Sequence, residues 1–176
     1  MACNQTISGL AKDCAPSKGG VKRVLLINAD EVTAVTETSS KITAITLASN
    51  KKFFEYTFRP NTASMSSNYT IDPANGVNYV ATDLVMVFMR MDTTKRIEIS
   101  ALAQNELVAL VQDCNGTWWF LGKDNPVYAT AGDGLTGTNK SDRNGYSITL
   151  HDDSDEMPTE VLVGTGGVNI ETLLGS

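Results

Sequence analysis

Leu107-Val108-Ala109-Leu110-Val111-Gln112-Asp113-Cys114-Asn115-Gly116-Thr117-Trp118-Trp119-Phe120-Leu121 is two apolar runs separated by a polar turn. Asn and Gly both accept positive φ, and the tight turn they form matches the twist of the strands it joins, so Asn115-Gly116 predicts a β-hairpin. Strand alternation sends Trp118 and Phe120 to one face and Trp119 to the other, placing one tryptophan in the core and one at an interface.

Toward the N-terminus, Thr94 to Gln104 reads as the one helix, capped by Asp92-Thr93-Thr94, with Ile97, Ala101 and Leu102 on one face. Ile97, Ile99 and Ala101 also alternate at period two, so a strand stays open there. Val77 to Met91 is the longest strand candidate, and because both faces are apolar in its second half it is expected to run through the middle of the structure. Asp72-Pro73-Ala74-Asn75-Gly76 is a turn by its chemistry. Asn61 to Ile71, rich in Ser, Thr and Asn, is either a long loop or an edge strand. Lys51 to Phe58 alternates as a strand that ends at Pro60, and the Asn50-Lys51 turn suggests a hairpin with Ile42 to Ala48. Val32 to Glu37 and Ile42 to Leu47 fit half-buried strands, and Val21 to Ile27, rich in Val, Leu and Ile and closed by Asn28-Ala29-Asp30, reads as a further strand. Met1 to Gly20 has little periodicity and reads as a flexible arm, leaving residues 21–176 as a single β-rich domain.

On the C-terminal side, Pro126 to Ala131 suggests a short strand, and Gly132 to Lys140 a mobile glycine-bearing loop. Asp142-Arg143-Asn144-Gly145 is a turn into the strand Tyr146 to Leu150. An acidic loop, Asp152 to Glu156, then precedes a last strand, Glu160 to Val163, and Val168 to Leu174 offers an edge strand. About ten short strands and one flanking helix imply a mainly β protein, a β-sandwich or barrel with the helix packed on it.

Apolar residues at 41% and charged residues at 19% describe a chain able to build one core. A net charge of −6 argues against a nucleic-acid or anionic-membrane partner, both of which repel an acidic protein within a Debye length of about 8–10 Å. No apolar stretch approaches the roughly 20 residues of a membrane helix. Met1 to Thr6 has neither a basic start nor an apolar run, so cytoplasmic synthesis is expected. Cys3, Cys14 and Cys114 are read as free thiols, with a Cys3–Cys14 bridge open in an oxidising setting.

The inventory for catalysis is thin. His151 is the one imidazole, beside Asp152 and Asp153 at a strand end, where a solvated surface role is the simpler reading. Gly132-Asp133-Gly134-Leu135-Thr136-Gly137 matches G-x-G-x-x-G, but Thr138 to Asp142 and a turn follow where a dinucleotide site needs a helix N-terminus. Lys140-Ser141 lacks the adjacent glycine of a phosphate loop. Asp152, Asp153, Asp155 and Glu156 offer oxygens to a hard cation without the spacing of a dedicated loop. Cys3 and Cys14 lack zinc-site spacing. Neither a catalytic residue, nor a cofactor-binding residue, nor a metal ligand is assigned, and an enzyme is not expected.

Gly9-Leu10-Ala11-Lys12-Asp13-Cys14 with Gly19-Gly20, the hairpin Asp113 to Gly122 with its Trp118-Trp119-Phe120-Leu121-Gly122, and Thr136-Gly137 through Asp142-Arg143-Asn144-Gly145-Tyr146 resemble virion structural proteins of tailed phages and prophages of gut anaerobes. The likeness is to tail-tube or tail-ring subunits and spans most of the chain. It implies a β-sandwich with one flanking helix that forms rings, usually hexameric, stacked into a conduit through which DNA passes without specific binding. Its partners would be copies of itself and neighbouring tail or connector proteins, and its location the virion, assembled in the host cytoplasm. A capsid decoration or head–tail connector protein is the second expectation, and a carbohydrate- or protein-binding module using Trp118 or Trp119 the third.

Overall fold

The structure is a computed structural model and describes residues 7–175 of the chain. Eleven strands and two helices follow one another: β1 (Val21–Asn28), β2 (Val32–Thr38), β3 (Lys41–Leu47), β4 (Phe54–Thr57), β5 (Ala63–Asp72), β6 (Val77–Met89), α1 (Thr93–Gln104), β7 (Leu107–Asp113), β8 (Trp118–Leu121), β9 (Tyr128–Leu135), β10 (Gly145–Ser154), β11 (Thr159–Val161) and α2 (Ile170–Leu173). The strands form a seven-stranded sheet in the order β2-β3-β11-β8-β7-β1-β4 and a four-stranded sheet in the order β5-β6-β10-β9. The expected β-sandwich with a flanking helix is present.

Two cores explain which runs are continuously apolar. Between the sheets, Val24, Leu26, Ala109, Val111 and Leu121 of the large sheet meet Leu84, Met86, Ile148 and Leu150 of the small one. On the other face of the large sheet, Leu25, Ile27, Val108, Leu110, Trp118 and Phe120 form a second core with Ile42, Phe53, Val161, Val168 and Ile170. Val24 to Ile27 of β1 and Leu107 to Val111 of β7 are thus buried on both faces, and so are unbroken apolar runs where a half-solvated strand would alternate.

The hairpin of β7 and β8 is present with a slightly longer turn than two residues. Asp113 N–H donates to Thr117 O at 3.0 Å and Gly116 N–H to Asp113 O at 3.1 Å, and the Asp113 carboxylate accepts from the N–H groups of Asn115 and Thr117. Of Asn115 and Gly116, Gly116 alone takes a positive φ, +95°. Asn61 to Ile71 resolves as the edge strand β5, and β6 runs between β5 and β10.

Several expectations are corrected. β4 does not form a hairpin with Ile42 to Ala48; it pairs antiparallel with β1, where Arg23 and Glu55 form an ion pair across the strands. The free side of β3 is occupied by β11 in parallel register, and the Phe53 N–H is drawn to Leu173 O at 2.8 Å. The helix expected over Thr94 to Gln104 is present as Thr93–Gln104, with the Asp92 carboxylate accepting from Lys95 N–H at 2.8 Å as its N-cap. Its inward residues are Ile99 and Leu102, whereas Ile97 and Ala101 face solvent. Gly132 to Leu135, expected in a mobile loop, pair with β10. Asp152 and Asp153, expected in an acidic loop, lie within β10. Val168 to Leu174 supplies a short helix and two isolated bridges, Val168 to Val163 and Leu174 to Phe53, instead of an edge strand.

Candidate functional site

The sheet edges and the N-terminal segment are the parts this fold leaves uncompleted. Among the described residues, β2 and β4 end the large sheet, and β5 and β9 end the small one. Such edges present unpaired N–H and C=O groups. Ile7 to Gly20 is exposed throughout and contributes no strand, and Ile7 and Leu10 are 96% and 98% exposed. Its last residues are held: Lys18 N–H donates to Asn115 Oδ1 at 2.8 Å, and Cys114 N–H donates to Gly20 O at 3.1 Å. Of the expected arm of residues 1–20, the described part, 7–20, is therefore anchored at its root on the turn between β7 and β8. Cys14 and Cys114 are free and exposed. Cys3, and with it the open Cys3–Cys14 pairing, lies outside the described residues.

His151 is not a solvated surface group. It stands on the outer face of the small sheet, directly across from Asp83 of β6 in the strand register, and its side chain is 19% exposed. Its Nδ1 lies 2.6 Å from Asp83 Oδ1 and its Nε2 lies 3.0 Å from Asp153 Oδ1. Tyr128 packs edge-on against the ring at 5.6 Å and donates its hydroxyl to Asp153 Oδ2 at 3.4 Å. Burial pulls the imidazole pKa down, but the two carboxylate hydrogen bonds outweigh it and hold the value above the usual 6.5. With a carboxylate on each nitrogen, the protonated ring donates to both sides. Neither nitrogen is open to a substrate proton, so the group acts as a clamp across β6 and β10.

A histidine whose folded pKa is raised adds stability that is complete below pH 6.5 and lost as pH climbs through the raised value. Unfolding free energy, followed by urea titration, is therefore expected to decline above pH 6.5, and His151→Gln to flatten that decline. A slope left unchanged by His151→Gln would remove the clamp.

Asp152 points the other way, into the interior, and is 2% exposed. Ser154 Oγ donates to its Oδ2 at 3.3 Å and the Gly122 N–H also donates to it, while Oδ1 has no partner. Burial raises its pKa above the usual 3.8, and the charges of Asp124 and Asp153 raise it further. Lys123, nearby, is engaged by Glu37 at 2.7 Å and Glu156 at 2.8 Å. No group of three or more His, Cys, Asp or Glu side chains is placed to hold a metal ion among the described residues.

The sign for Asp152 follows from its raised value: stability is greatest below pH 3.8 and is lost as pH rises through the folded pKa. Asp152→Asn removes a buried charge with an unpaired oxygen, and is expected to stabilise the domain by about 1–3 kcal/mol at alkaline pH and by little in acid. Thermal melts at the two pH values check this; equal destabilisation at both would contradict it.

The G-x-G-x-x-G residues are spread over the end of β9 and the turn after it. A Cβ at Gly132 would come within 3.3 Å of Ser147 O, and one at Gly134 within 2.9 Å of the Tyr146 ring, so both glycines serve packing against β10. The Asp142 carboxylate collects the N–H groups of Thr138 and Asn139 at 2.9 and 2.7 Å. That closes a turn where a phosphate site would begin a helix. Trp118 is buried in the second core beneath the Arg23 guanidinium, and Trp119 is half-buried with Nε1 donating to Asp113 Oδ2 at 3.1 Å. The Trp118 ring thus offers no open face for a sugar.

Two grooves on the surface are open. One of about 500 Å³ runs between β2 and the connection Gly122 to Pro126. Another, of about 300 Å³ and mostly apolar, lies between β4 and α1, lined by Phe54, Tyr56, Phe88 and Ile99. In the second, Tyr56 donates to Glu98, and burial followed by that hydrogen bond drives the phenol pKa far up. Neither groove gathers an acid, a base and a nucleophile around one point. Compared with known proteins, the chain matches no family model, no curated protein and no solved structure.

Proposed function

We propose that this chain is a virion structural subunit, a tail-tube or tail-ring protein that assembles with copies of itself into rings forming a conduit for DNA. The observation that carries the reading is the combination of uncovered strand edges with an exposed arm bearing Ile7 and Leu10. Large apolar side chains at nearly full exposure and unpaired backbone edges are stabilised when a sister molecule covers them. The resemblance of the arm, the hairpin and the Thr136 to Tyr146 segment to tail proteins supplies the virion context. The acid excess suits a wall past which DNA slides, since a cationic wall would hold phosphates.

Negative-stain electron microscopy of the purified full chain at high concentration tests this. Rings or stacked tubes are expected, and separate single particles at every concentration would refute it. A decoration or connector role is separated by copy number in the particle, which follows the capsid lattice in one case and tail length in the other.

A further inference from the structure

We propose that the free edge of β5 is the seat for the arm of a second copy, with residues 7–16 of that copy adding a fifth strand to the small sheet. This rests on the self-assembly reading and names the surface it uses. Val87 N–H donates to Thr62 O at 2.9 Å, and the register continues from Ala63 opposite Met86 to Asp72 opposite Val77. Antiparallel ladders alternate bonded and non-bonded pairs, so Ser64, Ser66, Asn68 and Thr70 turn their backbone groups toward β6. Met65, Ser67, Tyr69 and Ile71 turn theirs outward.

The other edges carry the devices that discourage strand addition. β2 is interrupted by irregularities in its register and carries Glu37 tied to Lys123. β4 is four residues long and carries Glu55. β9 lies against α1 and carries Asp133 paired with Arg143. From Ala63 to Ile71, β5 has no charged residue and no proline. Of the ten residues of this edge only the last, Asp72, is charged, and an edge so little protected is a template for an incoming strand.

Three features select the arm as the occupant. Tyr69 and Ile71 on the edge are 52% and 64% exposed, matching the bare Ile7 and Leu10 of the arm. Lys18 and Gly20 share a groove with Ser64 and Met65, so the arm leaves each body beside the start of this edge. Ten extended residues reach about 33 Å, the length of the edge they would cover. Exchange between identical copies covers arm and edge together, which neither achieves in the isolated chain.

The test uses full chains. Protein carrying a photo-crosslinking phenylalanine analogue at Leu10 is mixed with nitrogen-15-labelled protein, irradiated and mapped by mass spectrometry. Crosslinks into the labelled peptide that contains Ala63 to Asp72 are expected. Tyr69→Pro in the labelled partner removes an outward N–H and no internal bond, and is expected to lower their yield about tenfold or more. Tyr69→Lys, which keeps the backbone donor but adds an edge charge, is expected to act in the same direction and serves if the proline variant does not fold. Crosslinks confined to the chain's own edge, or mapping elsewhere in an assembled sample, would overturn the arm-to-β5 pairing and leave self-assembly standing. A sample that is monomeric at every concentration would overturn both.

Discussion

Gly145→Ala is expected to destabilise the domain by at least about 3 kcal/mol, enough to unfold a large share of a protein whose total stability lies in the usual range of about 5–15 kcal/mol. Gly145 opens β10 at the centre of the small sheet, paired with Met89 on one side and Leu135 on the other. A Cβ placed there would lie 2.0 Å from Phe88 O and 3.0 Å from the Met89 Cα. Both are backbone atoms of a neighbouring strand, so the overlap is relieved only by separating β6 from β10. The neighbouring Asn144 fixes the exit of β6, since Arg90 N–H donates to Asn144 O at 2.6 Å and Met91 N–H to Asn144 Oδ1 at 2.9 Å. Movement of β10 therefore disturbs the approach to α1 as well.

Gly116→Ala is the control. Its Cβ would meet open space, and the cost is that of positive φ alone, about 1–2 kcal/mol. Urea denaturation of both variants measures the difference. Equal losses would show that β6 and β10 are not packed as closely at Gly145 as described.

Deleting residues 1–16 is expected to abolish ring formation while leaving the thermal midpoint of the separated subunit within a few degrees of the full chain. Ile7 to Pro16 supplies no buried residue and no strand pairing, so its removal takes nothing from either core. The cut must stop there. Lys18 and Gly20 hold the turn of the β7–β8 hairpin through Asn115 and Cys114, so a deletion through Gly20 would mix loss of assembly with loss of a hairpin. Size-exclusion chromatography gives the first readout and thermal unfolding the second. A subunit that melts far lower after the shorter deletion would mean that the arm belongs to the fold.

How much of this is legible in the chain depends on the distance between interacting residues. Asn115-Gly116 and Asp72 to Gly76 are local turns, and the hairpins around them follow from the residues that form them. Val21 to Ile27 declares burial on both faces by lacking alternation. The pairing of Phe54–Thr57 with β1 is not legible, because Phe53 is held by Leu173, far along the chain. Asn50 does turn the chain, at φ +62°, but away from β3. Gly132 and Gly134 resemble loop residues by type, yet they are glycines to admit Ser147 O and the Tyr146 ring, a contact that exists only after β9 and β10 align.

The His151 clamp was missed for the same reason, since Asp83 lies 68 residues away. A usable signal did exist: Asp83 is the one charged residue within Val77 to Met89, and a lone acid in an apolar strand calls for a partner. Asp152 carries no such signal, because a run of acids ordinarily marks solvent and its burial depends on β10 continuing to Ser154.

Sedimentation velocity of the full chain over a thousandfold range of concentration most directly tests whether sister molecules complete this domain. A shift from single subunits to one discrete closed oligomer is expected as concentration rises, with Tyr69→Pro holding the protein in the smaller form. One unchanging species with the mass of a single chain across the whole range would contradict it.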